Sequence, residues 1–350
     1  MNLTEISIKA RKMFIWLIII TLSYIVLKFI IDMGVAYYKA THRPPIPGPN
    51  HNFNRLPKPN FGKTISSSGL KFSLELVDGQ PPETTSAGKV YSMPKKLPSL
   101  LAAEKAKNYA AKLLFIEEPV QLTTTLYRFT DPQNKLRIMD LDITYLNFKI
   151  FYDYFKNPQS ITIEEGIDKK SAENEVKNFA NLASIDDSYL NGIITYDALK
   201  YNSETKKLIP ATSLSTANAL RVNYFRNNLD NLKILPPEFN NSYNFAIYMP
   251  SLTINPKILE MQYVFWPIAF DDFATYPLRS GAIAWQDLQD GYASIILNGN
   301  NKDDTIKIRQ IYLAYYDSEE PQNYLQPIFV FEGDNNFVAY LPAITEDWLE

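Results

Sequence analysis

The hydrophobic pattern changes period several times along the chain. Residues 69–79 (GLKFSLELVDG) alternate apolar and polar side chains and end in turn residues, which predicts a half-buried β-strand. Residues 98–115 instead repeat apolar side chains at helical spacing, which predicts an amphipathic helix. Alternation returns over residues 121–155, with turn residues at 131–134. The pattern therefore predicts one helix followed by an antiparallel meander.

The same order of helix and strands recurs twice. Residues 171–183 have the pattern of an amphipathic helix capped by Ser171, and alternating strand-like segments follow it. A short helix over residues 280–288 precedes three strands, of which the last two are joined by turn residues at 333–336. We therefore expect an α+β fold, built from degenerate repeats of one helix packed on an antiparallel sheet. The predicted units are residues 63–165, 166–272 and 273–350.

A long apolar run near the N-terminus predicts a transmembrane helix. Residues 13–27 contain no charge and the apolar pattern continues to residue 31, a length of roughly 28 Å as a helix. We predict a single-pass membrane anchor over residues 13–38, preceded by a short cytoplasmic segment over residues 1–12 and followed by an extracytoplasmic body. Two alternatives are a cleaved signal peptide ending near Gly34-Val35-Ala36 and a buried helix of a soluble protein.

A proline-rich segment follows the predicted anchor. Residues 39–62 include six prolines, which disfavour helix and favour extended backbone. We expect a semi-rigid stalk here. It also holds both histidines of the chain, His42 and His51, and two imidazoles alone make a weak metal site.

Composition then removes most catalytic chemistry. The chain has 350 residues, no cysteine and no histidine outside the predicted stalk, so disulfides, thiolate metal sites and catalytic triads with histidine are excluded from the body. Residues 1–62 hold eight basic and two acidic residues, which leaves 27 basic and 36 acidic residues beyond them. An acidic body of this kind is a poor binder of nucleic acid. We predict a protein that is not an enzyme, without a cofactor, a metal or a nucleic-acid partner.

Paired carboxylates are the remaining catalytic candidates. Asp140 and Asp142 lie two apart on a predicted strand, at a spacing of about 7 Å that would suit a glycosidase. Asp271 with Asp272 and Glu332 with Asp334 form two further pairs. The segment 332–336 places oxygen ligands in a row, as in a calcium loop, but lacks EF-hand spacing. Solvated strand faces and a hairpin turn explain the same residues, and we predict no catalytic residue among them.

Aromatic side chains suggest an interaction surface. The chain has 23 tyrosines, 20 phenylalanines and four tryptophans, and tyrosine suits both sheets and interfaces. Four tyrosines cluster around the predicted last hairpins and are the candidate surface: Tyr312, Tyr315, Tyr316 and Tyr324. The alternative is that these rings, with Trp285, fill the core between helix and sheet. The aromatic residues between 145 and 155 pose the same question.

The C-terminal unit resembles a known family. Residues 276–344 contain YPL before the short helix, then a strand ending in Tyr316, then YLQP at 324–327 and FEG at 331–333. In these features the segment resembles single-pass bacterial envelope proteins of the YycH/YycI regulatory family and PepSY-like domains. The resemblance implies an extracytoplasmic regulatory or interaction domain with no known catalytic residue. Members of that family act by contacting a membrane sensor kinase.

These observations together predict a non-catalytic, membrane-anchored protein at the cell envelope. We expect it to contact the membrane through residues 13–38 and to bind an envelope protein, such as a membrane sensor, or its own copies. The alternatives are a module that binds cell wall or glycan through exposed tyrosines, and a hydrolase that depends on carboxylates.

Overall fold

The structure is a computed structural model that describes residues 3–41, 48–62, 65–161, 166–186, 189, 191–299 and 305–350. The chain divides into two compact units, Met1–Pro47 and Gly48–Glu350. We describe each unit by itself and call the second one the body. His42 and the prolines at 44, 45 and 47 lie outside the described residues.

The N-terminal unit contains one long helix, α1, over Leu3–Thr41. Its stretch Met13–Gly34 is apolar, and every side chain in this stretch is exposed. By length and composition the stretch is able to cross a membrane, and a signal sequence has the same properties. The sequence prediction of one N-terminal apolar helix is confirmed.

Among the described residues, the body combines three α-helices of nine residues or more with two large sheets. The helices are α2 (Ala102–Lys112), α3 (Lys169–Leu182) and α4 (Gly281–Gln289). The strands are β1 (Ile65–Ser66), β2 (Lys71–Leu74), β3 (Ala87–Ser92), β4 (Val120–Gln121), β5 (Leu126–Thr130), β6 (Arg137–Asp142), β7 (Phe148–Tyr152), β8 (Ile193–Asn202), β9 (Lys207–Pro210), β10 (Ala219–Phe225), β11 (Lys233–Leu235), β12 (Phe245–Tyr248), β13 (Ile258–Tyr263), β14 (Ala269–Pro277), β15 (Ser294–Leu297), β16 (Thr305–Tyr316), β17 (Tyr324–Gly333) and β18 (Phe337–Pro342). The α+β class with large antiparallel sheets agrees with the sequence prediction.

The first sheet has nine strands in the order β4-β5-β6-β7-β13-β12-β10-β8-β9, all antiparallel. Helices α2 and α3 cover one of its faces with their apolar sides, which include Tyr109 and Phe179. Alternate residues of the strands, such as Met139, Leu141 and Ile150, point into this core and are fully buried. The alternating apolar residues that predicted the strands are therefore the residues that are buried on one face of the sheet.

The N-cap of α3 lies three residues before the predicted one. We expected Ser171 to cap the helix, but α3 begins at Lys169 and Asp168 is the N-cap. The Asp168 carboxylate accepts hydrogen bonds from the Ser171 hydroxyl and from the backbone amides of Ser171 and Lys170. These hydrogen bonds, that of the hydroxyl first, lower the pKa of Asp168. An aspartate at this position satisfies two amides that have no partner within the helix.

The second sheet also has nine strands, and its centre is buried on both faces. The order is β1-β15-β18-β17-β16-β11, while β2 pairs with β16 and β3 pairs with β14 and β17. Seven consecutive residues of β17, from Leu325 to Phe331, are buried. Helix α4 packs through Ala284 and Leu288 into the core on one face. Gly281 begins this helix where a Cβ would lie 2.2 Å from a Pro82 backbone oxygen, so no larger residue fits.

The sheets do not follow the three predicted units. Strand β7 pairs with β13, so strands of units 63–165 and 166–272 form one sheet. Strands β2 and β3, from the first predicted unit, instead join the second sheet with the C-terminal strands. Strand pairing joins residues that are far apart in sequence, and local periodicity does not report it. The boundaries at 165 and 272 therefore do not separate sheets.

Residues 48–62, predicted to belong to a stalk, pack on the body. Leu56 is fully buried, donates its backbone amide to the Trp348 carbonyl and bridges to Leu349. The ring of His51 stacks on Trp348 with centroids 3.7 Å apart. Proline limits helix formation here, as predicted, but the extended backbone finds partners on the second sheet instead of water. The body therefore begins at Gly48.

A buried ionic cluster connects the first sheet to the second. The Arg226 guanidinium, which follows β10, lies 2.9 Å from the carboxylate of Asp317, which follows β16. Both side chains are 4% exposed. Tyr189 accepts a hydrogen bond from Arg226 at 2.7 Å, and Tyr243 donates one to Asp317. Charges buried this deeply need such partners, because desolvation of an unpaired ion is costly.

Candidate binding site

Two of the four predicted surface tyrosines are core residues. Tyr315 and Tyr316 are 2% and 1% exposed. The Tyr315 ring packs beside Tyr91, and the Tyr316 hydroxyl donates a 2.8 Å hydrogen bond to the Asn60 carbonyl. Burial raises the pKa of Tyr316 to about 12. Strand β16 lies inside the second sheet, so rings at adjacent positions are buried on both of its faces.

Tyr312 and Tyr324 are half-buried and also have local partners. The Tyr312 hydroxyl donates a 2.6 Å hydrogen bond to Glu332, and burial raises its pKa. The Tyr324 ring stacks on Phe53 with centroids 4.9 Å apart. The structure does not bring the four tyrosines together on one exposed surface. Trp285 is half-buried against the same core, as the packing alternative expected.

The carboxylate pairs hold the structure locally. Asp140 accepts two 2.7 Å hydrogen bonds from Arg128 on the neighbouring strand. Asp142 accepts from the backbone amides of Thr144 and Tyr145 and so closes the turn between β6 and β7. A carboxylate with these partners stabilises a sheet or a turn.

The remaining acidic candidates occupy a bulge and a turn. Asp271 and Asp272 are exposed where the register of β14 shifts. Asp334 accepts two 2.8 Å hydrogen bonds from Arg309, which lowers the pKa of Asp334. Among the residues that the structure describes, no group of three or more His, Asp or Glu side chains is arranged to hold a metal.

The face of the first sheet that α2 and α3 leave uncovered carries two rows of cross-strand neighbours. We call it the open face. One row contains Arg128, Asp140, Lys149, Gln262, Phe245, Asn223 and Thr195. The other contains Ile138, Phe151, Glu260, Ile247, Arg221 and Asp197. Charges of opposite sign lie side by side in the rows, for example Lys149 and Glu260, whose charged groups are 2.9 Å apart.

A cleft of about 730 Å³ opens on this face beside the edge strand β9. Its lining mixes aromatic, aliphatic and charged side chains: Tyr154, Phe155, Leu199, Leu208, Ile247, Asp197, Lys207, Arg221 and Glu260. A second hollow of about 270 Å³ shares Arg221 and Asn241 with the first and extends to Gln262 and Glu319. We call the two hollows together the open-face cleft. A volume of this order fits a short peptide segment or a saccharide unit.

Arg221 lies at the centre of the open-face cleft. Its guanidinium stacks 3.7 Å from the centroid of the Phe245 ring and donates 2.9 Å hydrogen bonds to Asn223 and to the Ser242 carbonyl. Burial lowers the pKa of Arg221, and the nearby carboxylates of Asp197 and Glu260 raise it. An arginine retains its charge at neutral pH under such a shift. It therefore presents a fixed cation, with its plane set by an aromatic ring, to whatever enters the cleft.

Phe155 supplies the exposed aromatic edge of the cleft. It follows β7, is 45% exposed and stacks on Tyr154 with centroids 4.5 Å apart. Tyr154 itself is buried against Tyr201, so the pair is held in place from below. Aromatic and arginine side chains are the residue types that most often anchor protein interfaces.

The sequence pattern singled out the aromatic residues between 145 and 155, which include Tyr154 and Phe155 of this cleft, but not the charged residues beside them. The segments containing Arg221 and Glu260 were predicted as strands, and their polar residues occupy every second position. That alternation indicates a face without a covering layer. The register that brings Arg221 next to Asp197 comes only from strand pairing.

Comparison with known proteins adds distant structural likeness. No family model matches the chain, and no curated protein matches it. Among solved structures, an uncharacterized protein from Eubacterium rectale ATCC 33656 is similar at 11% identity and a TM-score of 0.41, covering 75% of this chain and 84% of that one. The Bacillus megaterium YpeB C-terminal domain is similar at 13% identity and a TM-score of 0.33, covering 72% of this chain and 95% of that one.

Proposed function

We propose that this chain is a non-catalytic, membrane-anchored protein whose body binds a polypeptide partner at the cell envelope. The observation that carries the proposal is the open-face cleft, where the open face and the segment after β7 bring Arg221, Phe155 and a set of opposite charges to one hollow. An amphipathic peptide offers apolar side chains, amides and charges together, which matches that lining.

The acidic residues of the cleft support a binding role over a hydrolytic one. Glu260 is paired with Lys149, and Asp197 accepts a 2.7 Å hydrogen bond from Asn223. A glycosidase needs one carboxyl group to donate a proton and a second to act as base or nucleophile across the cleft. Here Glu260 and Asp197 are each held by a neighbour on the same sheet. We therefore propose recognition and not turnover.

Photo-crosslinking in the native envelope tests the partner. A photoreactive phenylalanine analogue replaces Phe155 in the full chain, and the same analogue replaces the exposed Val77, outside the first sheet, as the matched control. We expect a protein adduct from position 155 alone, and we expect Lys207→Glu to weaken it by changing the charge of the cleft rim. Equal adducts from both positions, or none from position 155, would contradict the proposal.

A glycan ligand is the second candidate, because the stacked pair Tyr154 and Phe155 resembles an aromatic platform for a sugar ring. The same crosslinking separates the two. An adduct that carries saccharide and no protein, and retention of the full chain on purified cell-wall polysaccharide that Phe155→Ser abolishes, would favour the glycan.

The proposed location follows from α1. Residues 13–34 form the apolar stretch, and three basic residues, Lys9, Arg11 and Lys12, precede it. We propose that this stretch remains as an anchor and that the body lies outside the cytoplasm. Protease added to intact spheroplasts should then remove the body, while the mass of the isolated protein should include residues 1–34. A body that is protected until lysis would contradict this topology, and a shortened mass would indicate a signal peptide.

A further inference from the structure

An exposed loop before α2 carries three leucines that the described residues of the body leave largely exposed. All eight residues of the segment 94–101, with sequence PKKLPSLL, are exposed. Leu97 and Leu100 are 89% and 105% exposed, and Leu101 is 59% exposed. Single exposed leucines are ordinary on protein surfaces, but three within five positions form an apolar tip. We call this segment the leucine loop.

The backbone of the leucine loop is held in place from its base. Met93, just before it, is buried and donates its amide to the Asn323 carbonyl at 2.8 Å. The Lys96 amide donates a 2.7 Å hydrogen bond to the Tyr145 hydroxyl, and the Ala102 amide bonds to the Ser99 carbonyl at 2.9 Å. Two prolines within the loop restrict it further. The leucines therefore project outward from a fixed frame.

Basic side chains flank the apolar tip. Lys95 and Lys96 immediately precede Leu97, and Lys105 lies one helical turn beyond Leu101. Glu104 is the one acidic residue within residues 94–105, so this segment has a net positive charge although the remainder of the body is acidic. Exposed aliphatic side chains next to lysines match an anionic bilayer, whose headgroups attract the cations while the acyl region accepts the leucines.

We propose that the leucine loop inserts into the surface of a bilayer that contains anionic lipids. A protein partner would bury the leucines equally well, but the chain itself carries an apolar helix able to cross a membrane, which places a bilayer within reach. The inference goes beyond the proposed function because it involves a different surface from the open-face cleft. It rests on the proposed membrane anchor, and the quenching experiment below reads out the loop separately from the crosslinking that tests the cleft.

The absence of native cysteines allows a single-site probe. Ser99→Cys introduces one thiol in the loop and keeps all three leucines, and Ser203→Cys, in the turn between β8 and β9, is the matched control. The leucine loop contacts Tyr145, in the turn that precedes β7. Strand β8, which ends next to the control site, lies four strands from β7 in the first sheet, a distance of about 20 Å. The full chain with a fluorophore on either cysteine is placed, one copy per disc, in nanodiscs that hold acyl-chain nitroxide lipids.

With phosphatidylglycerol in the discs, we expect the probe at residue 99 to be quenched at least about twofold more than the probe at residue 203. The excess should fall by at least about half in phosphatidylcholine discs or in the Lys95→Glu, Lys96→Glu variant. Leu97→Ser with Leu100→Ser should abolish it, and an unchanged near-ultraviolet circular dichroism spectrum shows that the variants remain folded. Equal quenching at residues 99 and 203 in anionic discs would overturn the proposal. Excess quenching that is unaffected by either charge reversal or the serine variants would overturn it as well.

Discussion

The two sheets of the body have the same number of strands but differ in how their faces are covered. In the second sheet the central strand β17 is buried along seven consecutive residues, and cores lie on both faces. In the first sheet two helices cover one face, and the other face combines a smaller apolar core around Phe245 and Ile247 with charged residues around a cleft. A strand that is buried on both sides reads as continuously apolar, whereas a strand with one open face alternates. The proposed binding surface therefore lies on the sheet with charged residues on one face, and the second sheet is proposed as its scaffold.

Truncation of a phenylalanine in each sheet is the strongest test of this division. Phe331 of β17 is fully buried, whereas Phe155 at the open-face cleft is 45% exposed. We expect Phe331→Ala to lower the free energy of unfolding by about 3–5 kcal/mol. Phe155→Ala should cost less than about 1 kcal/mol, because surface changes away from special features are small. Urea denaturation of the two variants measures both values, and similar losses would show that the open face is also structural.

Local periodicity predicted the elements of both sheets well. The helices near residues 102, 171 and 281, and the C-terminal strands β16 to β18, were all expected from pattern alone. The alternation of apolar residues is a property of neighbouring positions, so it is available from sequence. A cap for α3 was also expected from sequence, but at Ser171, three positions after the actual N-cap Asp168. Aspartate and serine are both favoured at this position, so the pattern does not choose between them.

Contacts between distant residues were not predictable in this way. Leu56 packs against Leu349, and β7 pairs with β13, although each pair is separated by more than 100 residues. For the same reason the sequence left two alternatives for Tyr315 and Tyr316, an interaction surface and core packing, since nothing in a single strand tells whether its sheet is covered on both faces. The open-face cleft depends on the register of six strands and was therefore missed.

Replacing an aspartate by asparagine in a buried and in a half-exposed ion pair compares the two regions again. We expect a smaller loss of stability than from Phe331→Ala, and a larger loss at the buried pair than at the half-exposed one. Asp317 joins the two sheets through Arg226 and is 4% exposed, whereas Asp140 pairs with Arg128 on the open face and is 27% exposed. Asp317→Asn should destabilise the body by about 2–4 kcal/mol, because it leaves a buried guanidinium without its counter-ion. Asp140→Asn should cost about 1 kcal/mol or less.

Thermal unfolding at low and high salt distinguishes the two pairs further. The half-exposed pair is screened by salt, so the difference between Asp140→Asn and the unmodified chain should shrink as salt rises. The loss caused by Asp317→Asn should be independent of salt. If Asp317→Asn left stability unchanged, the buried cluster would not hold the two sheets together.

Alkaline pH is expected to lower the stability of both sheets alike, because each has a buried tyrosine with a raised pKa. Burial raises the pKa of Tyr316 in the second sheet, and of Tyr263 in the first, to about 12 from an ordinary value of 10.0. A raised pKa means that the folded chain holds these protons more tightly than the unfolded chain. The stability from each group is therefore complete below pH 10 and is lost as pH rises from 10 towards 12, by about 2–3 kcal/mol for each tyrosine.

Replacement of either tyrosine by phenylalanine separates titration from packing. Tyr316→Phe removes the 2.8 Å hydrogen bond to Asn60, so it should lower stability by about 1 kcal/mol at neutral pH. It should also reduce the further loss between pH 10 and 12, because phenylalanine has no proton to release. Tyr263→Phe should reduce that loss similarly, and the exposed Tyr292→Phe should leave the curve unchanged. A difference in alkaline response between the two core variants would show that the sheets differ in their interiors as well as in the face that one of them leaves open.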